Sequence, residues 1–125
     1  MRKDTCVFMD LDGTCISHYG DLYDIMTEES ALLPGVLSFF RKARRDGVYI
    51  VVTTARPESL RNFTLRQMEE FGLWCDQLVM GLPTGKRVVI NDNSGIQSRA
   101  IGIPVERNIG LENVDIGKMI NEDYE

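Results

Sequence analysis

The chain of 125 residues has a single histidine, a single tryptophan, three cysteines and four prolines. His18 lies in the turn-like stretch His18-Tyr19-Gly20-Asp21-Leu22-Tyr23-Asp24 and reads as a loop histidine rather than a catalytic one. Cys6, Cys15 and Cys75 are scattered and odd in number, with no C-x-x-C spacing. That spacing suggests neither a zinc site nor a disulfide framework, and a reducing compartment fits best. No apolar run is long enough to span a bilayer, and the N-terminus runs straight into a strand pattern without the features of a signal peptide. The expectation is a cytoplasmic protein without a membrane partner. The sequon Asn62-Phe63-Thr64 is then a chance match. Positive charge is also scarce: 14 Lys and Arg stand against 19 Asp and Glu, for a net charge of −5 and a pI near 4.9. Generic binding to nucleic acid or an anionic membrane is disfavoured, although a local basic patch is compatible with that balance. No internal repeat, linker or low-complexity segment interrupts the chain.

What is present is a core-forming composition, with 43% hydrophobic and 26% charged residues. The length suits one small domain over residues 1–125, with a real core and little room for a second domain. Residues 4–10 read as a first buried strand. Residues 15–33 lack clear periodicity and read as a loop or flap. Apolar residues at 36, 37, 39, 40 and 43 lie on one helical face, with Pro34 before them and Asp46-Gly47 closing the helix. The basic residues Arg41, Lys42, Arg44 and Arg45 fall toward its C-terminal end, where cations favour the helix dipole, so they read as a solvated face. Val48 to Val52 is a continuous β-branched run, a second buried parallel strand. Pro57 bars an earlier helix start, and residues 58–71 follow as an amphipathic helix closed by Gly72. Residues 76–80 read as a third strand, 87–90 as a fourth, and 102–105 as a short edge strand that tolerates Pro104. Residues 115–121 read as a last helical turn or two. The order is that of an α/β protein with a doubly wound parallel sheet.

The chemistry gathers at strand ends. The run Val7-Phe8-Met9-Asp10-Leu11-Asp12-Gly13-Thr14 ends an apolar strand in two acids one residue apart. Two-residue periodicity crowds both carboxylates on one side, and a hard cation such as Mg²⁺ relieves that repulsion. Thr53/Thr54 and Asn91/Asp92 end two further predicted parallel strands. All three sets therefore fall on the carboxyl edge of one sheet, where ligands bind in open α/β folds. Phosphate-ester hydrolysis needs a nucleophile, an acid for the leaving oxygen and positive charge around the transferring group. Asp10, Asp12 and Asp92 supply carboxylates for a nucleophile, a proton donor and a Mg²⁺ site, while Thr54 and Lys86 supply a hydroxyl and an ammonium for phosphate oxygens. Gly81-Leu82-Pro83-Thr84-Gly85-Lys86 is not a P-loop: three residues, not four, separate the glycines, and Arg87 stands where Ser or Thr would hold Mg²⁺.

Asp10-Leu11-Asp12-Gly13-Thr14 behind a buried strand resembles the first motif of the haloacid dehalogenase (HAD) superfamily of phosphatases, and by motif order the likeness runs over residues 5–105. The resemblance implies a Rossmann-like three-layer sandwich with a central, mostly parallel sheet, and a Mg²⁺-dependent phosphomonoester hydrolase working through an aspartyl-phosphate. It implies Asp10 as nucleophile and Asp12 as acid/base, with the Asp12 main-chain carbonyl also on the metal, and Gly13 and Thr14 completing the motif. Val51-Val52-Thr53-Thr54-Ala55-Arg56 is similar to the second motif, which aligns Thr54 rather than Thr53 with the phosphate-binding hydroxyl and puts Arg56 near the substrate; a surface ion pair is the other reading of Arg56. Val89-Ile90-Asn91-Asp92 resembles the fourth motif, with Asp92 a metal ligand and Asn91 an oxygen donor or water holder where many members have an acid. Lys86 is the third-motif lysine by position, with Arg87 its rival. The gaps at 15–33 and 81–86 are too short for a cap domain, so the likeness is to capless members. The string from Gly81 to Asp92 looks closest to small proteins of capsule-type biosynthesis, which points to a sugar phosphate. Two alternatives stand beside this. A polynucleotide 3′-end phosphatase would use a basic trough from Arg56, Arg61 and Arg66. A non-catalytic binding or regulatory domain would keep the fold, though the intact Asp10/Asp12 pair argues against it. An open site also suits a homo-oligomer closed by a neighbouring subunit. Tyr19 and Tyr23 are the candidates for a lid or interface, or else pack on the domain's own core.

Overall fold

The apolar run before the first acid pair forms β1, Cys6–Asp10, which lies parallel to β2, Tyr49–Thr53. On the far side of β2 lies β3, Gln77–Val79, also parallel, so the sheet order is β1-β2-β3. The sequence of β2 explains its central place: Ile50, Val51 and Val52 are all buried, as a strand flanked on both edges demands. The register pairs Asp10 with Thr53 and Thr53 with Val79, so the three strands finish level at one edge. The computed structural model describes residues 4–115, 117 and 118.

Between β1 and β2 runs α2, Val36–Asp46, preceded by a shorter helix α1, Leu22–Thr27. Gly35 and Gly47 bracket α2 in the left-handed region, and the Gly47 N–H donates to the Ala43 and Arg44 carbonyls, as a glycine C-cap should. Of the four basic residues, Arg44 and Arg45 sit in its last turn, and Arg44 also stacks over Trp74 at 4.7 Å. Pro57 stays extended and leads into a 3-10 turn, Glu58–Leu60, and then α3, Arg61–Glu70.

One face of the sheet is covered. Val7, Met9, Ile50, Val52 and Leu78 pack there with Val36, Phe40 and Ala43 of α2 and Met68 of α3. Phe40 is fully buried, meets Trp74 edge-on at 6.2 Å between ring centroids, and its carbonyl accepts from the Trp74 indole N–H. By strand alternation the other face carries Cys6, Phe8, Tyr49, Val51, Gln77 and Val79. Val51 in the central strand is buried, and the other five are exposed, with Phe8 at 63%. The described residues thus make an α/β unit of two layers on a parallel sheet.

Several expectations differ from the outcome. Residues 87–90 do not form a fourth strand, and 102–105 do not form an edge strand. A β-branched run favours a pleated surface only where a partner and a packing face are present. Here the Arg87 guanidinium turns back to donate to the Pro83 and Gly85 carbonyls at 2.7 and 2.9 Å, and Val88 and Ile90 stand in solvent at 77% and 94% exposure. The segment 15–33 is more ordered than its lack of periodicity suggests. Leu33 N–H donates to the Cys15 carbonyl, Ser17 N–H to the Ala31 carbonyl, and Ile16 bridges Leu32, which closes the base of a loop tipped by α1. Tyr19 packs against the core and its hydroxyl donates to the Glu29 carbonyl, whereas Tyr23 is exposed on α1. Of the predicted helical turn at 115–121, residues 116 and 119–121 lie outside the described residues.

The packing around Phe40 makes a direct prediction. Phe40→Ala should lower unfolding free energy by about 3–5 kcal/mol, the range for a large aromatic lost from a packed core. Urea denaturation followed by the fluorescence of Trp74, the chain's one tryptophan, measures it; a loss under 1 kcal/mol would mean the face is not a packed core.

Candidate active site

Beyond β1 the chain closes a tight turn on itself. The Leu11 carbonyl accepts from the N–H groups of Thr14, Cys15 and Ile16, and the Gly13 N–H donates to the Ile16 carbonyl at 2.7 Å. Gly13 has φ +88°, a backbone conformation that favours glycine, and a Cβ there would come 3.2 Å from the Arg107 side chain. The turn brings Thr14 back over the strand end, where its hydroxyl donates to Asp10 Oδ2 at 2.9 Å. Beneath it the buried Cys15 thiol donates to the Asp10 carbonyl at 3.3 Å. Burial, with the charges of Asp10 and Asp12 nearby, pushes that thiol well up, so Cys15 is a packing group and not a nucleophile.

Asp12 is held from the other side. Arg56 donates from Nε to Asp12 Oδ2 at 2.9 Å and from Nη2 to Oδ1 at 2.7 Å, a two-pronged pair. The guanidinium is almost wholly enclosed, the residue being 3% exposed, and its Nη1 donates to the buried Thr64 hydroxyl at 3.0 Å. Arg56 is therefore neither a surface ion pair nor open to a ligand in this arrangement. Thr54 is also turned inward, its hydroxyl oxygen accepting from the Arg56 N–H at 3.1 Å. Thr53, the ladder partner of Asp10, is the half-exposed threonine of the two.

Asp10 itself is partly desolvated, and that pushes its carboxyl above the ordinary value of 3.8. Hydrogen bonds from Thr14 and from the Leu11 backbone work against the rise; Asp12 adds to it, and the positive charge of Arg87 opposes it. Of the two third-motif candidates, Arg87 is the one whose positive charge opposes the rise at Asp10. Lys86 is exposed, and no hydrogen bond or ion pair holds it among the described residues.

The remaining predicted residues are not brought to this pair. Asn91 and Asp92 are exposed and bonded to each other, with Arg99 at 3.8 Å from Asp92. Among the described residues no group of three His, Cys, Asp or Glu side chains could hold a metal. Asp10 and Asp12 alone offer two carboxylates, one of them with both oxygens engaged by Arg56, so this arrangement does not fit the oxygen shell of Mg²⁺. Of the three arginines of the basic-trough alternative, Arg56 is enclosed on Asp12, Arg61 is paired with Glu58 and the Leu78 carbonyl, and Arg66 is exposed.

One contributor was missed from the sequence. The turn at residues 106–111 returns to the acid-bearing loop: Asn108 N–H donates to the Gly13 carbonyl and Asn108 Oδ1 accepts from the His18 N–H, both at 2.8 Å. Asn108 has φ +64°, a conformation that asparagine tolerates better than most residues. The string Arg107-Asn108-Ile109-Gly110 carries that signal, as two residues suited to positive φ placed two apart.

No protein-family model, curated protein or solved structure matches the chain.

The raised Asp10 carboxyl has a consequence for stability. Folded Asp10 keeps its proton to higher pH than unfolded Asp10, so its contribution is fully present below 3.8 and is lost as the pH rises through the raised value. At neutral pH the charged form is at a constant disadvantage in the fold. Asp10→Asn, which removes that charge and can still accept from Thr14, should therefore melt above the wild type at pH 7 in the presence of chelator. The gap should narrow as the pH falls toward 3.8. Melting curves across that range check it, and an offset that does not vary with pH contradicts it.

Proposed function

We propose that the chain is a HAD-type phosphomonoester hydrolase of the cytoplasm, with a sugar phosphate of polysaccharide biosynthesis as the substrate class its motifs favour. The observation that carries this reading is the pair of carboxylates at the end of β1 in unlike surroundings. Asp10 is partly desolvated and held by Thr14, while Asp12 is clamped by Arg56. Two carboxylates at one strand end can supply a nucleophile and a proton-transfer group; Asp10 attacks in its charged form, and Asp12 must hold its proton beside the Arg56 cation.

In the proposed reaction an Asp10 carboxylate oxygen attacks phosphorus. The ester P–O bond breaks with its electron pair left on the departing oxygen, which takes a proton from Asp12. Water then attacks the phosphorus of the acyl phosphate and gives its proton to Asp12. The bond from phosphorus to Asp10 breaks, releasing inorganic phosphate and the free carboxylate. Thr14 and Thr53 border the site, and Arg87 contributes the positive charge that eases approach of a phosphate to a carboxylate.

The reading extends to the sheet. A Rossmann-like three-layer sandwich requires residues 87–90 to pair along the outer edge of β1, which no described strand occupies. That pairing would carry Asn91 and Asp92 toward Asp10 and complete an oxygen set for Mg²⁺. When bound, the cation would neutralise repulsion between phosphate and carboxylate. Hydrogen exchange tests this part: amides of residues 88–90 should gain protection when Mg²⁺ and inorganic phosphate are added. Unchanged exchange contradicts the fourth strand.

Turnover tests the function. The wild type should hydrolyse 4-nitrophenyl phosphate and a sugar phosphate, with an acyl phosphate that hydroxylamine cleaves, and Asp10→Asn should lose several orders of magnitude in kcat while remaining folded. Exhaustive chelation should abolish turnover and Mg²⁺ restore it. No turnover across a phosphomonoester panel, or substantial activity in Asp10→Asn, overturns the reading.

A further inference from the structure

We infer that Arg56 is a positioning residue, whose buried fork fixes the carboxylate of Asp12 for proton transfer instead of binding the substrate's phosphate. The inference rests on the phosphatase reading and changes the role that motif likeness gives this arginine. Three observations carry it. Both Asp12 oxygens accept from Arg56, one from Nε and one from Nη2, so the carboxylate plane is fixed relative to the guanidinium plane. The third edge of the guanidinium is anchored on α3 through Thr64, which is itself fully buried. The backbone of Arg56 is held as well: its N–H donates to Thr54 Oγ1, and its carbonyl accepts from the Gly81 N–H at 2.8 Å. With three of its five N–H donors engaged and the residue 3% exposed, the guanidinium is closed to a ligand by burial. It can act only through the residue it grips. A carboxylate has about four lone-pair positions, and Arg56 occupies one on each Asp12 oxygen, which leaves the outward pair for a proton on its way to the leaving oxygen.

The distinction between positioning and binding is measurable through the leaving group. Proton donation matters most when the departing alkoxide is basic and least when it is a stabilised nitrophenolate. Arg56→Lys keeps the positive charge and removes the fork. It should lower kcat for an alkyl or sugar phosphate by about 100-fold, the scale of a general-acid contribution. For 4-nitrophenyl phosphate the loss should be much smaller, and KM should stay near the wild-type value for both. Thr64→Val removes only the far anchor and should show the same asymmetry with a smaller amplitude. It also carries the test if Arg56→Lys does not fold. A KM rise shared by both substrates with an unchanged kcat ratio would make Arg56 a substrate contact and overturn the inference. An equal loss of kcat on both substrates would make its role merely structural and overturn it too. Either result leaves the phosphatase reading standing, because the wild type would still turn over. A wild type without turnover on any phosphomonoester removes both.

Discussion

A guanidinium cannot be taken out of water alone; the effective penalty is several kcal/mol unless partners replace its hydration. Arg56 is enclosed at the carboxyl edge of the sheet, and four parts of the chain are arranged around what it requires. The acid-bearing loop after β1 supplies Asp12, and α3 supplies Thr64. The end of β2 supplies Thr54, and the loop after β3 donates to the Arg56 carbonyl through Gly81. Pro57 makes this geometry available locally. Its extended backbone turns the chain away from the strand before the 3-10 turn begins, so that α3 rises beside Arg56 and Thr64 meets the guanidinium. Removing Asp12 would leave the charge buried without its counterpart, a larger disturbance than the loss of any one contact from the pair.

The second constraint is the turn from Leu11 to Ile16. Because one carbonyl, that of Leu11, receives three N–H groups, the loop is compact and holds Thr14 over Asp10. Asp10 and Asp12 are separated by one residue, yet they meet opposite fates: one is partly shielded from water beside a hydroxyl, the other is bound to a cation. The Asn108 turn fixes the outer side of the same loop through Gly13 and His18, so the acid pair is gripped from the sheet, from α3 and from the C-terminal part of the chain. A rigid pair of this kind supports chemistry that depends on position more than on flexibility.

Much of this was legible from local pattern. The strand at the first acid pair, the continuous run of β2, and the two helices with their glycine stops follow from periodicity and capping, which need only neighbouring residues. The placement of Asp10 at the end of β1 was legible for the same reason. What was not legible depends on partners far apart in the chain. Thr-Ala-Arg-Pro says nothing of an acid 44 residues away, and so Arg56 read as a substrate contact or a surface pair, whereas its guanidinium is enclosed on Asp12 and Thr64. Thr64 hides within an amphipathic helix as one polar residue on its buried side. Thr54 matches the second motif by alignment, but its hydroxyl is directed inward to the Arg56 N–H. The Asn108 turn lies past the last motif, where likeness gave no guidance.

Residues 87–90 show the limit of pattern most clearly, and the reason is a near balance of free energies. Ordering each residue of a strand costs about 1–2 kcal/mol of backbone entropy. Burying a valine or isoleucine returns about 1.5–3 kcal/mol. For a run of four residues with three aliphatic side chains these amounts nearly cancel, so composition cannot decide whether the strand forms. The outcome falls to terms outside the run. Arg87 satisfies two loop carbonyls when the segment stays apart, whereas a bound cation shared by Asp10 and Asp92 would favour the segment beside β1. As it stands, Val88 and Ile90 are exposed, and no described strand pairs with the outer edge of β1.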